Sequence, residues 1–509
     1  MARSAQSILV TALLAAGLAA AAAAQPVITG IQSSELPRSG RVAISGSGFG
    51  SAGEVFIAGL PALTTTWTGS RVVAYVPEAA PLGSAPLYLV VGGEQSNEVA
   101  LTVTARQPQG RVRWTFEADS SDLWYRPALA PDGTLYLHCN GAVDGFIYAL
   151  SPDGALLWIQ TVDWYPYAPP TAGPDGTLYV GSIYTLWAIS NQGEILWQFE
   201  DPSAQGIQVA PTVGPDGSVY GGFDLGIGAF ALDAASGALQ WSNRGDPPMH
   251  DYGSPFGTEV LFGPSTPGGP IDQLYMHQNN YSGGPVYAFS LDGDQRFATG
   301  LGGDIAHEPV LDTDGRIYAP SFAGSAGWAV QAIDPSNGQT LWIYDPANGN
   351  GMEELAIGPD DTLYVVTPGH LEAVDAATAT RRWLNPTYYV MDRPSVTPDG
   401  TTLVLSGVPD YGDPGFVKAF SAATGEELWT VGLPGDPYPG FRVLGTDHPR
   451  ITPDGATAYV STFTVADGSP PADPRSYLFA IELDPTPPDS IFSDGFESGD
   501  TSAWSATVP

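Results

Sequence analysis

Short runs of alternating apolar and polar residues, broken by glycine, proline or Asp-Gly, make up nearly all of this chain. In 25–105 they are VITGI (27–31), RVAISGSGFG (41–50), EVFIAG (54–59), RVVAYVP (71–77), APLYLVV (85–91) and NEVALTV (97–103). A period of two puts successive side chains on opposite faces of a strand, so the group predicts a small β-sandwich. From about 106 the pattern becomes a repeat. It aligns on Trp114, Trp158, Trp197, Trp241, Phe297, Trp342, Trp383 and Trp429. Four short strands in each period of roughly 40 to 55 residues fit the blade of a β-propeller.

Each unit also carries a tight turn between two strands: APDGTLYL (130–137), GPDGTLYV (173–180), GPDGSVYG (214–221), DTDGRIYA (312–319), GPDDTLYV (358–365), TPDGTTLV (397–404) and TPDGATAY (452–459). Asp-Gly supplies the positive φ of a hairpin and the preceding proline stiffens its entry. The fourth unit, SPFGTEVLFGPSTPGGPIDQLYMH (254–277), holds an insertion at this place. RVRWTFE (111–117) is a strand with no blade before it, whereas the last unit ends at SYLFAIEL (476–483) without a tryptophan strand. Pairing the two would close a ring of eight blades and remove both free edges. The fold class is therefore all-β: an eight-bladed propeller over 106–485, preceded by an immunoglobulin-like β-sandwich over 25–105.

ALDAASGALQW (231–241) recurs as AIDPSNGQTLW (332–342), AVDAATATRRW (373–383) and AFSAATGEELW (419–429). The phrase resembles the tryptophan-docking motif of pyrroloquinoline-quinone (PQQ) dehydrogenase propellers, and the resemblance extends over 111–484. It implies that the alanine packs against a neighbouring blade, Asp and Gly turn, and the tryptophan wedges into a seam. The eight aligned aromatics are thus expected to dock blades. The propeller also resembles that of the outer-membrane-assembly lipoprotein family, without its lipid-anchoring cysteine and with a domain added. PVITGI, GSGFG read as a hairpin, VFIAG, the VP turn and the closing GG…SN-x-V-x-L-T-V resemble the IPT/TIG domain over 26–104, which implies a spacer or protein-contact module.

The dehydrogenase resemblance implies a quinone over a tryptophan floor, calcium held by Glu and Asn, an Asp base and often a disulfide of adjacent cysteines. This chain has a single cysteine, Cys139, and no recognisable set of that kind, so no cofactor is expected. Cys139, in LYLHCN, reads as a buried structural thiol. LDTDG (311–315), LDGDQ (291–295) and GPDD (358–361) echo calcium loops but lack the full ligand set, and read as turns, leaving room for weakly held calcium. The six histidines show no H-x-x-x-H or H-E-x-x-H pair, and no G-x-S-x-G elbow or Walker loop occurs, so no catalytic residue or metal site is expected.

With 54 acidic residues against 18 basic ones the net charge is −36, which repels nucleic acid and anionic membranes. Residues 1–24 carry Arg3, an alanine-rich apolar stretch and a small-residue site before Gln25, the pattern of a bacterial secretory signal. No other run is long and apolar enough to span a bilayer. An exported protein is expected, in the periplasm, at the cell surface or outside the cell. Residues 486–509 read as a proline-rich linker and a short acidic, aromatic tail.

The segments leading into each blade's first strand converge on the propeller axis at one face. There they carry Trp124, Tyr125, Trp164, Tyr165, His250, Asp251, His307, Glu308, Glu353, Tyr389, Asp392, Arg393, Asp447 and His448. Aromatic platforms with a few convergent polar groups suit a protein, peptide or glycan partner. The function expected from sequence is non-catalytic binding or scaffolding at this funnel. The rival expectations are a funnel-site enzyme, including a quinone dehydrogenase, and a surface adhesin.

Overall fold

A computed structural model describes residues 25–108, 110–119, 125–140, 145–162, 168–182, 185–200, 207–223, 228–245, 259–277, 284–302, 308–322, 327–347, 354–386, 390–391, 393–408, 415–433, 441–445, 448–466 and 475–483. The signal-like segment and the tail lie outside these residues.

The alternating N-terminal runs form two facing sheets. Val27–Ile31, Arg41–Ser47, Arg71–Tyr75 and Thr64–Trp67 make one. The other holds Glu35–Pro37, Val99–Thr104, Gly83–Val91, Glu54–Ile57 and Leu60–Ala62, with Glu94–Gln95 on Gly83–Val91. Their inward residues, among them Ile44, Phe49, Val72 and Leu87, share one core. The GSGFG stretch is not the hairpin expected from the sequence. The strands on either side of it belong to different sheets, so it crosses the sandwich, and Phe49 plugs the core where it crosses. Three short strands, Glu35–Pro37, Leu60–Ala62 and Thr64–Trp67, escaped the periodicity because a run of three or four residues shows no alternation.

Beyond the sandwich, the described residues form eight antiparallel sheets, each at its heart a four-stranded meander. Their innermost strands are Ala128–Leu129, Thr171–Ala172, Ile207–Val213, Leu261–Pro264, Val310–Leu311, Glu354–Ile357, Ser395–Val396 and Arg450–Ile451, numbered here as blades 1 to 8. Neighbouring inner strands touch from blade 1 round to blade 8; blades 3 and 4 do so through a parallel bridge from Ala210 to Glu259. Blade 8 takes its outer strand, Val112–Ala118, from the start of the propeller, paired antiparallel with Ser476–Glu482 from its end. The expected closure is therefore present, and both chain ends gain partners they would otherwise lack.

The repeat phrase acts at two seams at once. Trp241 reaches forward to blade 4, where its indole N–H donates to Leu291 O at 2.8 Å and its ring covers Gly293. Gly237 in the same phrase receives Trp197 from blade 2, whose indole donates to Ala234 O at 2.8 Å. Gly237 has φ 70°, and a β-carbon there would lie 2.6 Å from the Trp197 ring, so glycine is required twice over. Trp114, Trp158 and Trp383 dock alike, donating to Pro152, Asn191 and Ala422 carbonyls. Phe297 has no N–H to give; Thr299 Oγ1 donates to Gly338 O instead, at 2.7 Å. At the closing seam no turn joins the two outer strands of blade 8, and Trp429 meets the Arg111 guanidinium 4.5 Å from its ring centre.

The sandwich is seated on the closing blade. Arg41, wholly buried, pairs with Asp119 at 2.7 Å and Glu117 at 3.4 Å, both at the end of the closing strand. Thr65 and Thr66 donate to the Asp119 carboxylate at 2.7 Å each, and the Asp119 amide donates to the Tyr75 and Tyr148 hydroxyls. Ser39 Oγ accepts from the Leu156 amide in blade 1, and Tyr75 packs into the core shared by blades 8 and 1.

Seam docking gives a direct expectation for Gly237→Ala. Left-handed φ alone costs an alanine about 1–2 kcal/mol. At Gly217, also at positive φ, nothing lies within 4 Å, so Gly217→Ala pays only that cost. Urea unfolding should show Gly237→Ala more than twice as destabilising; equal losses would mean the ring does not bear on the turn.

Candidate functional site

Five blades enter the ring just after a proline or prolines, and at four of them a charged or titratable residue precedes the proline: Arg126-Pro127, Glu308-Pro309, Arg393-Pro394 and His448-Pro449. Proline holds the residue before it in extended backbone and cannot itself donate. Each such side chain therefore stands at the same end of its inner strand, around the axis. Glu259, two residues before the inner strand of blade 4, holds the corresponding place there.

These groups are tied across the channel. Arg126 of blade 1 pairs with Glu259 of blade 4, and Arg393 of blade 7 with Glu308 of blade 5. The Arg126 guanidinium also donates to His448 Nδ1 of blade 8 at 3.2 Å. Burial pushes the Glu259 carboxyl up, but Arg126, Arg450, His448 and Arg393 outweigh it and hold the group below the usual carboxylate range. Continuing the pairing of Ala128 with Tyr136 by two residues sets His138 beside Arg126. His138 is buried, its two ring nitrogens have no protein partner among the described residues, and burial lowers its pKa to about 3.

Arg393 and His448 of this ring also line a cavity of about 470 Å³ on the side of blades 4 to 8. Leu261, Phe262, Val310, Ile357, Val396 and Ile451 supply its apolar wall, and Arg393, His448 and Arg450 its polar one.

Of the residues expected at the funnel, the structure brings Glu308, Arg393 and His448 to the channel mouth, with Tyr125 half-buried beside Arg126. Trp124, Trp164, Tyr165, His250, Asp251, His307, Glu353, Tyr389, Asp392 and Asp447 lie outside the described residues. Sequence reading missed Arg126, Glu259 and Arg450; the repeated charged-residue-then-proline step was the signal for the first. In two of the calcium-like fragments, LDTDG and GPDD, carboxylates have protein partners. Asp312 accepts from Arg316 and the Tyr318 hydroxyl, Asp360 from Thr362, and Asp361 from Thr313 of the preceding blade. Cys139 is buried in the seam between blades 8 and 1.

A ring of antiparallel four-stranded sheets closed by both chain ends defines a β-propeller, and its docked repeat is of the PQQ type. The chain belongs to the family described as outer membrane protein assembly factor BamB, whose profile matches residues 99–247 and 143–385. Curated relatives include the quinohemoprotein alcohol dehydrogenase ADH-IIG of Pseudomonas putida, 30% identical over 33% of this chain and 24% of that protein. The quinohemoprotein alcohol dehydrogenase ADH IIB of the same organism is 33% identical over 27% of this chain and 21% of its own length. The chain thus spans about a quarter or less of the curated relatives it matches. Among solved structures, a europium-containing methanol dehydrogenase superposes with TM-score 0.55 at 15% identity, covering 73% of this chain and 93% of that one. The Dos1 propeller gives 0.52 at 12% identity, covering 72% and 93%. Both likenesses concern the fold.

The relatives' names bring a quinone into question. Among the described residues the propeller's tryptophans stand on second-to-outermost or outer strands and none on an inner strand, so none forms a floor facing the axis. The Arg126 and Arg393 guanidinia already hold carboxylates across the channel. The described residues do not fit a stacked quinone.

His138 sets an expectation for acid stability. Its folded pKa, about 3, lies below the ordinary 6.5, so below pH 6.5 the unfolded chain takes up a proton that the folded one refuses. Stability is lost as pH falls from 6.5 toward 3, by at most about 1.4 kcal/mol per unit from this group. Urea midpoints at pH 7 and pH 5 should differ less for His138→Phe than for the parent. An unchanged difference would refute a buried neutral imidazole.

Proposed function

We propose that the chain is an exported, non-catalytic binding or scaffold protein, an IPT/TIG-type sandwich fixed to an eight-bladed PQQ-type propeller that receives a ligand or partner segment at the channel mouth. The carrying observation is the ring of charged side chains, tied from blade to blade across the axis, beside a cavity with one polar and one apolar wall. The repeat is spent on seams; at the mouth the blades cease to resemble one another, and differences there are free to serve recognition. Membership in a family described as an assembly factor supports a role in holding partners. Export is supported by the signal-like pattern of 1–24, and no helix among the described residues is long and apolar enough to cross a membrane. A second reading, a quinone-dependent dehydrogenase, draws on the names of the curated relatives.

Peptide and glycan arrays probed with the intact protein and with the Arg393→Gln, His448→Gln double variant test the first reading. Signals should fall at least tenfold in the variant while its melting temperature stays within a few degrees. Signals indifferent to the substitutions would move the site off the mouth. Alcohol-dependent dye reduction by the parent after incubation with PQQ and calcium would instead establish the second reading.

A further inference from the structure

We infer that the segment following Leu483, Asp484-Pro485-Thr486-Pro487-Pro488, lies along Trp429 in a cavity at the closing seam and stands in for the turn this seam lacks.

The other seams define what a docked ring receives. At six of them it lies on a left-handed glycine four residues before the next outer-strand aromatic: Gly154, Gly193, Gly237, Gly293, Gly338 and Gly425. A β-carbon on any of these would come 2.5 to 2.9 Å from the ring. Gly110 holds the same place before Trp114 and the same kind of backbone, with φ 60°, yet no described atom lies within 4 Å of its β-carbon position. The acceptor of the indole N–H is equally regular. It is the carbonyl three residues after the alanine that pairs with the outer-strand aromatic, at Pro152, Asn191, Ala234, Leu291 and Ala422. Ala480 pairs with Trp114, so Leu483 is the counterpart in blade 8. Arg111 takes that carbonyl at 3.0 Å, and the half-buried Trp429 donates to none of the described residues.

Beside this ring lies a cavity of about 740 Å³, walled by Pro398, Asp399, Leu428, Trp429, Asp454 and Leu483 among others. Leu483 is fixed in that wall, its N–H on Ala456 O at 3.0 Å and its carbonyl on Arg111. The chain therefore continues from the cavity itself, at a high effective concentration for any site there. The acids of the wall are answered: Asp399 accepts from Thr397 and Thr401, and Asp454 from Thr452 and the Ala456 amide. Arg111 has no carboxylate partner among the described residues, and Asp484 is the next residue along. Prolines suit the remainder. They bring no N–H to bury, their rings pack on an indole, and an extended proline-rich backbone leaves its carbonyls free to accept the Trp429 N–H.

Nitrogen-15 labelling of the tryptophan indoles in the full chain tests this, with the Trp429 signal assigned by its loss in Trp429→Phe. Combining Pro485→Gly, Pro487→Gly and Pro488→Gly should shift that signal and make its N–H exchange roughly tenfold faster, leaving the other docked indoles unchanged. An unmoved Trp429 signal overturns the inference. So does a signal that changes on dilution, which would assign the cavity to the segment of a second copy. Should Trp429→Phe not fold, melting decides. A chain ended after Pro488 should melt with the parent and one ended after Leu483 several degrees lower; equal melting of the two overturns the inference.

Discussion

An aromatic ring laid on the left-handed glycine of the next blade is the contact on which this propeller depends. A single four-stranded blade has two apolar faces and cannot bury either alone, so its stability comes from its neighbours. The docked ring covers the turn, its N–H satisfies a carbonyl of that turn, and the second-strand tyrosine packs beneath it. Tyr220 lies 6.0 Å from Trp241, and Tyr364 lies 6.1 Å from Trp383. Substitutions inside the repeat are matched by compensation. Phe297 gives up the indole bond and Thr299 replaces it, while Ala379 accepts positive φ where other blades have glycine.

The ring must also close, and the closing seam alone lacks the turn that receives a tryptophan. Arg111 covers Trp429 there, and its guanidinium also donates to the Glu482 and Leu483 carbonyls, tying the first outer strand to the last. The sandwich adds a second tie. Arg41 and Asp119 are both buried, and each has further partners, which is the condition under which a buried pair holds rather than costs. An attached module that staples the closing strand to blade 1 is more than a spacer.

Much of this architecture was legible because seams repeat. A tryptophan at regular spacing, a glycine four residues before it and an Asp-Gly hairpin are local requirements, and local requirements leave marks in sequence. The strand from 111–117 completing the last blade followed from counting. The GSGFG crossing was misread because its glycines suit a hairpin and a crossing equally; only the sheet membership of its neighbours separates them. At the mouth the contacts join residues far apart in the chain. Arg126 meets Glu259 and His448, and neither spacing nor periodicity announces such a pair. Glu308, Arg393 and His448 could be expected near the mouth because topology brings every blade entry to one end of the channel. Arg450 was missed because it lies inside a strand of two residues, where no alternation shows which way it faces.

The central claim is that seams carry stability and the mouth carries recognition. It is tested most directly by measuring both quantities on one seam variant and one mouth variant. Trp241→Phe keeps the ring but removes the bond to Leu291 O, and should lower the melting temperature while leaving ligand affinity of the folded protein unchanged. Arg393→Gln should do the reverse. A seam variant that loses affinity while fully folded, or a mouth variant that binds as the parent does, would contradict the account.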